Sequence, residues 1–444
     1  MTTRRDFLRR AGLASATALT LPALEGCADP GSRDGSATAD RSAGLQLPPP
    51  PAGTPAEVAR DEAYWSQVAA QYAVTDRVTN LEAGYFGMMP APVLAAYHRH
   101  IDRVNLESSY FARGAYGEIA REARERTAAA LGVAPGEIAF SRNATEALQA
   151  LIGQYNRLRS GDTVMYADLD YPAMQQAMNE LAERKGATVA TLVIPEPASK
   201  EAVLAAYQRA LDENPRTRLL LLTHTNNKTG LIHPVAELVG MAEARGIDVI
   251  VDAAHSFGHV PLALPELGAA FVGVNLHKWV GAPVGVGALY IREDALDAID
   301  RAHGDEGPLD RIDSRIHTGT THFATIMTVP DALDFQERIG VPYKSARLRY
   351  LRDRWAVPAR DIPGVDILTP DDPELVCALT SFRLNGDGSR EGNLAVARTL
   401  EEDFGIFTVY RTGLAGGDCV RVTPSLYNGP EDAERLVEAL GAVV

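Results

Sequence analysis

A lysine stands between a histidine and a tryptophan in the segment NLHKWVGAP, residues 275 to 283. The run VGAPVGVG follows, so Lys278 belongs to a largely apolar stretch rich in glycine. An ammonium group is costly in apolar surroundings. Such a lysine either extends its charged end to water or is needed as a partly neutral amine. The residues near it in the fold must decide between these interpretations.

An aspartate ends the apolar run of IVDAAHSFG, one predicted strand before Lys278. A buried Asp252 without a cationic partner would be costly, and a protonated pyridine nitrogen would supply that partner. Pyridoxal phosphate chemistry needs a lysine for the cofactor aldehyde, a carboxylate for the ring nitrogen, a flat group on the ring and donors for the phosphate. Lys278 and Asp252 together match the first two needs, whereas an aspartate at a strand end, taken alone, is more often structural.

The elements that must position these residues alternate along the chain from about residue 61. Apolar runs typical of strands cover residues 162 to 171, 218 to 227, 247 to 255, 271 to 278 and 286 to 292. Stretches of helical periodicity cover residues 118 to 132, 173 to 186 and 234 to 246. This alternation predicts a mostly parallel sheet covered by helices on both faces. Ligands bind at the carboxyl ends of such strands, where the polar residues Tyr171, Asn227, Asp252, His255 and Lys278 would converge.

Three segments together resemble the class V aminotransferase family of fold-type I pyridoxal phosphate enzymes, and within it the isopenicillin N epimerase-like branch. They are VDAAH (251 to 255), NLHKWVGAPVGVGALYI (275 to 291) and HTGTTHFA (317 to 324). The resemblance extends from residue 80 to residue 432. It implies an α/β fold with a large domain built on a mostly parallel seven-stranded sheet, a smaller α+β C-terminal domain, and pyridoxal 5'-phosphate as cofactor.

The resemblance assigns roles around the cofactor ring. Lys278 would bind the cofactor aldehyde and later move the α-proton, because desolvation and a positive neighbour both lower the pKa of an ammonium group. Asp252 would pair with the pyridine nitrogen. His255 would lie beside the ring or its oxygen, or support those groups from behind.

Further positions match residues that relatives direct at the ring and the substrate. Tyr171 stands where relatives stack an aromatic ring or a histidine on the cofactor. Asn227 matches an asparagine aimed at the phenolic oxygen, with Asn226 as the alternative. Arg421 matches the arginine that holds a substrate carboxylate, for which its planar fork is suited. Arg113, in FARGAYG, is the candidate for the distal end of the substrate.

The phosphate end is predicted at the start of the helical segment RNATEALQALI. Asn143, Ala144 and Thr145 would lie where free N–H groups and the helix dipole attract a phosphate, although an ordinary helix cap explains the same letters. The resemblance favours the phosphate site. His277 is a further candidate, and Thr320 resembles a residue that reaches the phosphate of the partner subunit, which implies a homodimer with shared active sites.

Composition excludes some function classes. The chain has 444 residues, of which 46% are hydrophobic and 23% charged, and its formal net charge is −15. No basic run follows the first ten residues, so a nucleic-acid-binding surface is not expected. Cys27, Cys377 and Cys419 lie far apart without CxxC spacing, so neither a metal site nor a disulfide framework is expected.

The amino-terminal sequence predicts that the protein is exported from the cytoplasm. TRRDFLR, followed by a short Ala- and Thr-rich apolar stretch, resembles a twin-arginine export signal and implies the twin-arginine export machinery as a partner and a periplasmic location. The segment LEGC would allow lipidation of Cys27, although Glu25 fits that pattern poorly, and both a lipoprotein and a cleaved soluble protein remain open. The predicted organisation is a signal peptide (1–27), a disordered linker (28–56), a large cofactor-binding domain that includes an N-terminal segment (57–330) and a small C-terminal domain (331–444). Part of residues 57 to 90 is expected to complete the small domain.

The remaining question is the reaction. Cysteine desulfurases of this family carry a nucleophilic cysteine on a loop before the equivalent of Arg421, and residues 404 to 417 contain none, so that activity is not expected. Epimerases, transaminases and lyases all begin by removing a proton from Cα. The predicted function is transamination or a related deamination of an amino acid or peptide-borne amino group outside the cytoplasm. The alternative is epimerisation like that of isopenicillin N epimerase, or a lyase reaction; a non-catalytic binding protein would leave Lys278 and Asp252 without a purpose.

Overall fold

The computed structural model describes residues 47 to 444. Its strands are β1 (Thr79–Asn80), β2 (Ile138–Ser141), β3 (Thr163–Ala167), β4 (Thr188–Leu192), β5 (Thr217–Thr223), β6 (Asp248–Ala253), β7 (Phe271–Asn275), β8 (Gly287–Ile291), β9 (Val365–Ile367), β10 (Thr380–Leu384), β11 (Ile406–Phe407), β12 (Val409–Arg411) and β13 (Cys419–Val422). Its α-helices are Pro55–Val58, Glu62–Ala69, Ala91–Arg113, Tyr116–Leu131, Ala144–Gly153, Pro172–Lys185, Lys200–Glu213, Val235–Glu243, Phe323–Met327, Val329–Ile339, Val341–Ala359, Arg390–Phe404 and Pro430–Val443. Short 3-10 helices cover Pro135–Glu137, Leu264–Leu267, Glu293–Ala298 and Ile312–Arg315.

The larger sheet has seven strands in the order β2-β8-β7-β6-β5-β3-β4. β3 to β7 run parallel to their neighbours in this group, and β8 runs antiparallel to both β7 and β2. Every residue of β3, β7 and β8 is buried, as expected for strands covered on both faces. The predicted mostly parallel seven-stranded sheet of a fold-type I enzyme is therefore confirmed.

Alternate residues of the central strands enter two hydrophobic cores, one on each face of the sheet. Leu220 and Leu222 of β5 belong to one core, and Leu219 and Leu221 belong to the other. This period of two is the side-chain geometry of a strand. Because both faces are apolar, the strands read as continuous apolar runs, and polar residues appear only where the strands end.

The helix Ala144–Gly153 lies close against the sheet because two strand positions lack side chains. A Cβ at Gly273 would meet Cγ of Leu148 at 2.6 Å, and a Cβ at Gly287 would meet the backbone carbonyl carbon of Asn143 at 2.7 Å. Such distances are too short for real contacts, so both positions need glycine. The glycines thereby bring the start of this helix to the carboxyl end of β7, next to the segment that carries Lys278.

The smaller domain contains a four-stranded antiparallel sheet in the order β12-β13-β10-β9. Its core includes Trp355, Phe382 and Leu436. β1, which belongs to the N-terminal segment, pairs in parallel with β11 of this domain. The predicted boundary at residue 330 falls inside the helix Val329–Ile339, whose apolar residues belong to the core of the large domain.

The amino-terminal predictions are only partly within the described residues. Residues 1 to 46, which include the predicted signal peptide, Cys27 and most of the predicted linker, lie outside them. The end of the linker differs from the prediction: Leu47 is buried and its carbonyl accepts a hydrogen bond from Arg338 at 2.7 Å. Apolar Leu47 can be buried although the segment around it is rich in proline. Within residues 47 to 444, no helix combines the length and the apolar character needed to cross a membrane.

Candidate active site

Lys278 lies just after β7 and borders a cavity of about 610 Å³. Asp252 from the end of β6 and Asn227 from the segment after β5 border the same cavity. The carboxyl ends of three adjacent parallel strands thus supply these groups, as expected for an α/β sheet. Polar residues that are scattered along the sequence therefore meet in one place.

The Lys278 amine has a strongly lowered pKa, about 7. Desolvation is the largest cause, and the positive charges of Arg421 and Arg411 lower the pKa further. The negative charges of Asp252 and Glu82 act in the opposite direction but are outweighed. A substantial neutral fraction near pH 7 is what a lysine needs to act as a base or nucleophile.

His255 lies between the Lys278 amine and the indole of Trp279 and contacts both. Its Nε2 lies 2.8 Å from Nζ of Lys278, and the indole N–H of Trp279 donates to its Nδ1 at 3.3 Å. The pKa of His255 is held well below its usual value, first by desolvation and then by the charges of Lys278 and Arg421. His255 is therefore a neutral ring in contact with the reactive amine, and its predicted place beside the cofactor fits the cavity wall.

Asp252 is 5% exposed and accepts a hydrogen bond from the N–H of Ala254 at 2.9 Å. Burial raises its pKa, although the Ala254 N–H and the charge of Lys278 act against this. No salt bridge within residues 47 to 444 involves this carboxylate. A buried carboxylate that faces a cavity without an ionic partner fits a ligand with a protonated ring nitrogen, because such a cation would offset the cost of burial.

The phosphate end differs in detail from the sequence prediction. The N–H of Ala144 donates to Oδ1 of Asn275 at 2.8 Å, and the side chain of Asn143 accepts the N–H of Glu146 at 2.8 Å. Two of the expected contributors to a phosphate site are thus engaged within the protein, since Asn143 caps the helix. Asn143, Ala144 and Thr145 all border the cavity, and the hydroxyl and N–H of Thr145 are the groups best placed for an anion there.

His277 borders the same end of the cavity, and its Nδ1 lies 2.9 Å from the carbonyl oxygen of Val286. Nδ1–H therefore donates to that carbonyl. A neutral ring then presents Nε2 only as an acceptor, so binding a phosphate through Nε2 requires the imidazolium form. Burial lowers the pKa of His277 in the ligand-free chain, and a bound dianion would oppose that shift.

Tyr171, Asn227 and Thr320 also border the cavity. Tyr171 is 41% exposed at the start of the helix Pro172–Lys185, where it can cover a ring from outside. Asn226 is engaged in its own turn, because its side chain binds Leu169 O and the N–H of Lys228. Asn227 is thus the residue of the pair that faces the cavity. Thr320 is placed at the cavity of its own chain, and its role toward a partner subunit stays a prediction.

The substrate end contains an ion cluster that sequence reasoning missed. Arg421 is 1% exposed, and its guanidinium donates to Oε1 of Glu82 at 2.5 Å and to Asn227 O at 2.7 Å. Arg411 approaches the same Glu82 oxygen at 3.5 Å and borders the cavity. Burial lowers the pKa of Arg421 to about 10, so Arg421 remains a cation at neutral pH. Two cations share one carboxylate, which leaves a surplus positive charge for an anionic ligand.

The pairing of β12 with β13 brings Arg411 to Arg421. Arg411 lies opposite Cys419, two residues from Arg421, so the two arginines share one face of the sheet. Arg113, in contrast, is an exposed residue at the end of the helix Ala91–Arg113 and does not border this cavity. The structure of the single chain therefore does not bring Arg113 to the substrate end.

Neither described cysteine is set up as a nucleophile. Cys377 and Cys419 are buried, and desolvation raises their thiol pKa to about 12 and about 11. A thiol with such a pKa contains almost no thiolate at neutral pH. Across residues 47 to 444, no group of three His, Cys, Asp or Glu side chains is arranged to hold a metal ion.

A seven-stranded α/β sheet with a lysine, a buried carboxylate and a helix start around one cavity defines a fold-type I pyridoxal-phosphate-dependent enzyme. Residues 88 to 436 match the family described as Aminotransferase class-V. The chain belongs to that family. Pyridoxal phosphate is its cofactor, and the residues that would hold it are Lys278, Asp252, Asn227 and Thr145.

Relatives with curated names extend over most of the chain. Isopenicillin N epimerase of Streptomyces clavuligerus is 30% identical, with 85% of this chain and 98% of the relative covered. Isopenicillin N epimerase of Amycolatopsis lactamdurans is also 30% identical, with 85% and 98% covered. A putative L-cysteine desulfhydrase of Oryza sativa subsp. japonica is 27% identical, with 83% of each chain covered.

Solved structures show the same fold. Cysteine desulfurase CsdA of Escherichia coli superimposes with a TM-score of 0.71 at 23% identity, covering 85% of this chain and 98% of CsdA. Cysteine desulfurase of Thermococcus onnurineus NA1 superimposes with a TM-score of 0.73 at 21% identity, covering 85% and 98%. At such identities the likeness concerns the fold and not the reaction.

Proposed function

We propose that this enzyme removes the Cα proton of an amino acid or of a peptide-borne amino group, with Lys278 as the base. One observation carries the proposal: the Lys278 amine, whose pKa is lowered to about 7, borders the same cavity as the buried carboxylate of Asp252, which forms no salt bridge within residues 47 to 444. Pyridoxal phosphate, when bound, supplies the electron-withdrawing ring that makes a Cα proton acidic enough to remove. Asp252 would stabilise positive charge at the ring nitrogen of the bound cofactor, and His255 contacts the Lys278 amine.

The substrate is held by its carboxylate in this proposal. Arg421 and Arg411 together carry one more positive charge than Glu82 can balance. A substrate carboxylate would offset that surplus, and the planar guanidinium groups would orient Cα toward Lys278. Tyr85 and Phe86, which are 75% and 48% exposed, border the outer part of the cavity and leave room for a large side chain.

For the outcome of the reaction we propose inversion at Cα. Support comes from the two isopenicillin N epimerases, which are 30% identical to this chain over nearly their full length. This reverses the order expected from sequence, in which transamination or deamination came first. Transamination remains the second candidate, since the class V family carries that name. The buried positions and raised pKa values of the described cysteines argue against a desulfurase-type reaction.

Proton exchange in deuterated water tests the proposal. The purified enzyme loaded with pyridoxal phosphate is incubated with a panel of amino acids and short peptides, and the products are analysed by mass spectrometry and chiral chromatography. The proposal predicts deuterium at Cα together with inverted configuration, and loss of both in Lys278→Ala. A keto product in place of inversion would support transamination, and release of sulfide from cysteine would support a lyase.

We also propose that the protein is exported through the twin-arginine machinery and acts outside the cytoplasm. Support lies in the residues Arg4 and Arg5 and the apolar stretch behind them. Cell fractionation of the full chain is expected to place the wild type outside the cytoplasm and the Arg4→Lys, Arg5→Lys double variant inside. Cytoplasmic wild-type protein would overturn the proposal. Mass spectrometry of the mature amino terminus then distinguishes a lipidated Cys27 from a cleaved, unmodified chain.

We propose a homodimer with shared active sites as the working assembly. Support comes from the exposed apolar side chains of Leu106 and Tyr110, each 85% exposed on the helix Ala91–Arg113, and from the position of Thr320 at the mouth of the cavity. Light scattering during size-exclusion chromatography is expected to give twice the chain mass. A monomer that retains full activity would overturn this proposal.

A further inference from the structure

We infer that Trp279 is a positioning residue that fixes the tautomer of His255, so that His255 donates a hydrogen bond to Lys278 and holds the lysine as a neutral amine. Trp279 follows Lys278 directly in the chain. The inference deepens the proposed function, because it explains what keeps the base unprotonated. It concerns the resting amine and not any later step.

Donor and acceptor chemistry leads to this assignment. The indole Nε1 of tryptophan can only donate a hydrogen bond. Trp279 Nε1 lies 3.3 Å from Nδ1 of His255, so Nδ1 must be the acceptor and carries no proton. A neutral imidazole has one proton, which must then be on Nε2. Nε2 lies 2.8 Å from Nζ of Lys278.

The lysine must therefore accept this hydrogen bond. An ammonium group has three donors and no acceptor, so it would meet the Nε2–H of His255 donor to donor. A neutral amine has a lone pair and can accept. The tautomer set by Trp279 thus disfavours the protonated form of Lys278, in addition to desolvation.

The indole itself is held in place from behind. The ring of His259 stacks on Trp279 with centroids 3.6 Å apart and an interplanar angle of 14°. Both nitrogens of His259 are occupied, because Nδ1 lies 2.9 Å from His255 O and Nε2 accepts from the N–H of Ala378 at 3.2 Å. His259 therefore cannot compete for the indole N–H or for the ring nitrogens of His255.

The backbone of the same segment is fixed by two buried side chains. Lys344 Nζ donates to the carbonyl of Trp279, and Gln336 donates to the carbonyl of Val280 at 3.0 Å. Lys344 is 4% exposed. These contacts fix the backbone of the segment and so restrict the side-chain orientations of Lys278 and Trp279. The indole N–H is thereby directed toward Nδ1 of His255.

Other charged and titratable groups near Lys278 and His255 also influence the protonation of these two residues. Toward Lys278 these are Asp252, Glu82, Arg421 and Arg411. Toward His255 they are Lys278, Arg421, His259 and Arg411. None of them touches Nδ1 of His255 in the described residues, so removing the indole N–H changes the tautomer preference without altering these charges.

The test uses the full chain without cofactor, because the geometry described refers to the free amine. Competitive acetylation with acetic anhydride, followed by peptide mass spectrometry, gives the pKa of Lys278 from the pH dependence of its labelling. In Trp279→Phe, Nδ1 of His255 is free to take the proton and Nε2 becomes an acceptor for the ammonium. We expect the Lys278 pKa to rise by about one unit, which lowers labelling at pH 7 roughly fivefold.

A second readout reports the tautomer directly. Nitrogen-15 spectra of labelled histidine, with His255 assigned from the spectrum of His255→Gln, are expected to show the Nε2–H form in the wild type and a mixture in Trp279→Phe. The matched control is Trp355→Phe, since the buried indole N–H of Trp355 has no hydrogen-bond partner within residues 47 to 444. Should Trp279→Phe fail to fold, site-specific incorporation of 3-benzothienylalanine at position 279 removes the N–H while keeping the bicyclic shape.

The outcomes separate clearly. A raised Lys278 pKa and a shifted tautomer in the Trp279 variants, with neither change in Trp355→Phe, support the inference. An unchanged pKa, or an unchanged tautomer, overturns it. Because no substrate is used, failure of the proposed reaction would show in the deuterium experiment alone and would not imitate either result.

Discussion

At the scale of single residues, the site depends on charges that are buried together and only partly compensated. Lys278, Asp252, Glu82 and the two arginines would each be costly alone. Their arrangement leaves one carboxylate without a cation at the ring end and one surplus cation at the substrate end. A cofactor with a protonated ring nitrogen and a substrate with a carboxylate complete both ends.

Substitution of Glu82 by Gln tests this charge balance. Glu82 lies between Arg421 and Arg411 and raises the pKa of Lys278. Its neutralisation is expected to lower the Lys278 pKa in the acetylation assay and to tighten binding of simple carboxylates severalfold, because the cationic surplus grows. Removing one member of a buried ion pair also costs stability, about 3 kcal/mol. Glu118→Gln, which alters an exposed pair with Arg121, is the control and should change none of these quantities.

The sequence predicted most of these residues for a physical reason. Lys278, Asp252 and Asn227 end apolar runs, and a polar residue at the end of a buried strand is visible in the letters alone. Glu82 and Arg411 were missed because their meeting depends on contacts between the two sheets and on strand register, which no local pattern contains. Arg113 was a candidate only through the resemblance of its segment to the family, and its role toward the substrate stays a prediction.

At the scale of elements, the cavity exists because two glycines allow a helix to approach the sheet. Gly287→Ala would place a Cβ 2.7 Å from the backbone of Asn143. The helix start must then shift, and we expect the affinity for pyridoxal phosphate to fall about tenfold or more, corresponding to 1–3 kcal/mol of strain. Equilibrium titration of the cofactor-free protein measures this. Gly153→Ala lies in the same helix with open space around it and should leave the affinity unchanged.

The segment after β5 makes stability depend on pH. His224 and His233 are buried, and desolvation lowers the pKa of each to about 4. Both ring nitrogens of His233 lack hydrogen-bond partners within the described residues. In the unfolded chain these histidines bind protons near pH 6.5, whereas in the folded chain they stay neutral down to about pH 4. Their neutral forms therefore stabilise the folded state fully above pH 6.5, and this stabilisation is lost progressively as the pH falls toward 4.

Chemical denaturation between pH 7 and pH 4 measures the effect. We expect the wild-type free energy of unfolding to fall with decreasing pH, by up to about 3 kcal/mol for each buried histidine. His233→Phe should flatten this dependence, because the phenyl ring binds no proton. The exposed His98 offers the control variant His98→Gln, which should keep the wild-type slope. Equal slopes for wild type and His233→Phe would contradict the assignment.

The strands that are buried on both faces of the large sheet were predicted from the sequence, whereas the two strands at its edges were not. β3 and β5 to β8 are continuous apolar runs, and they were found. β4 is largely exposed at the edge of the sheet, and its residues TVATL give no apolar run. β2 is only four residues long and follows a short 3-10 helix, so its pattern is too brief to separate from its surroundings.

At the scale of the whole molecule, the chain joins a large α/β domain to a smaller antiparallel sheet, and the substrate end lies where they meet. Lys278 and Asp252 come from the large sheet, whereas Arg411 and Arg421 come from β12 and β13 of the small one. Fold class was predictable because alternation of strands and helices is a long-range pattern. The boundary between the domains was not, since the helix Val329–Ile339 continues across it.

Covalent trapping of the cofactor identifies the lysine that binds its aldehyde. The purified enzyme loaded with pyridoxal phosphate is reduced with borohydride, digested, and analysed by peptide mass spectrometry for the pyridoxyl group. We predict this group on Lys278 in the wild type and in Asp252→Asn, the latter with weaker cofactor retention, and no modified peptide in Lys278→Ala. Attachment at another lysine, or full retention of a modified chain in Lys278→Ala, would contradict it.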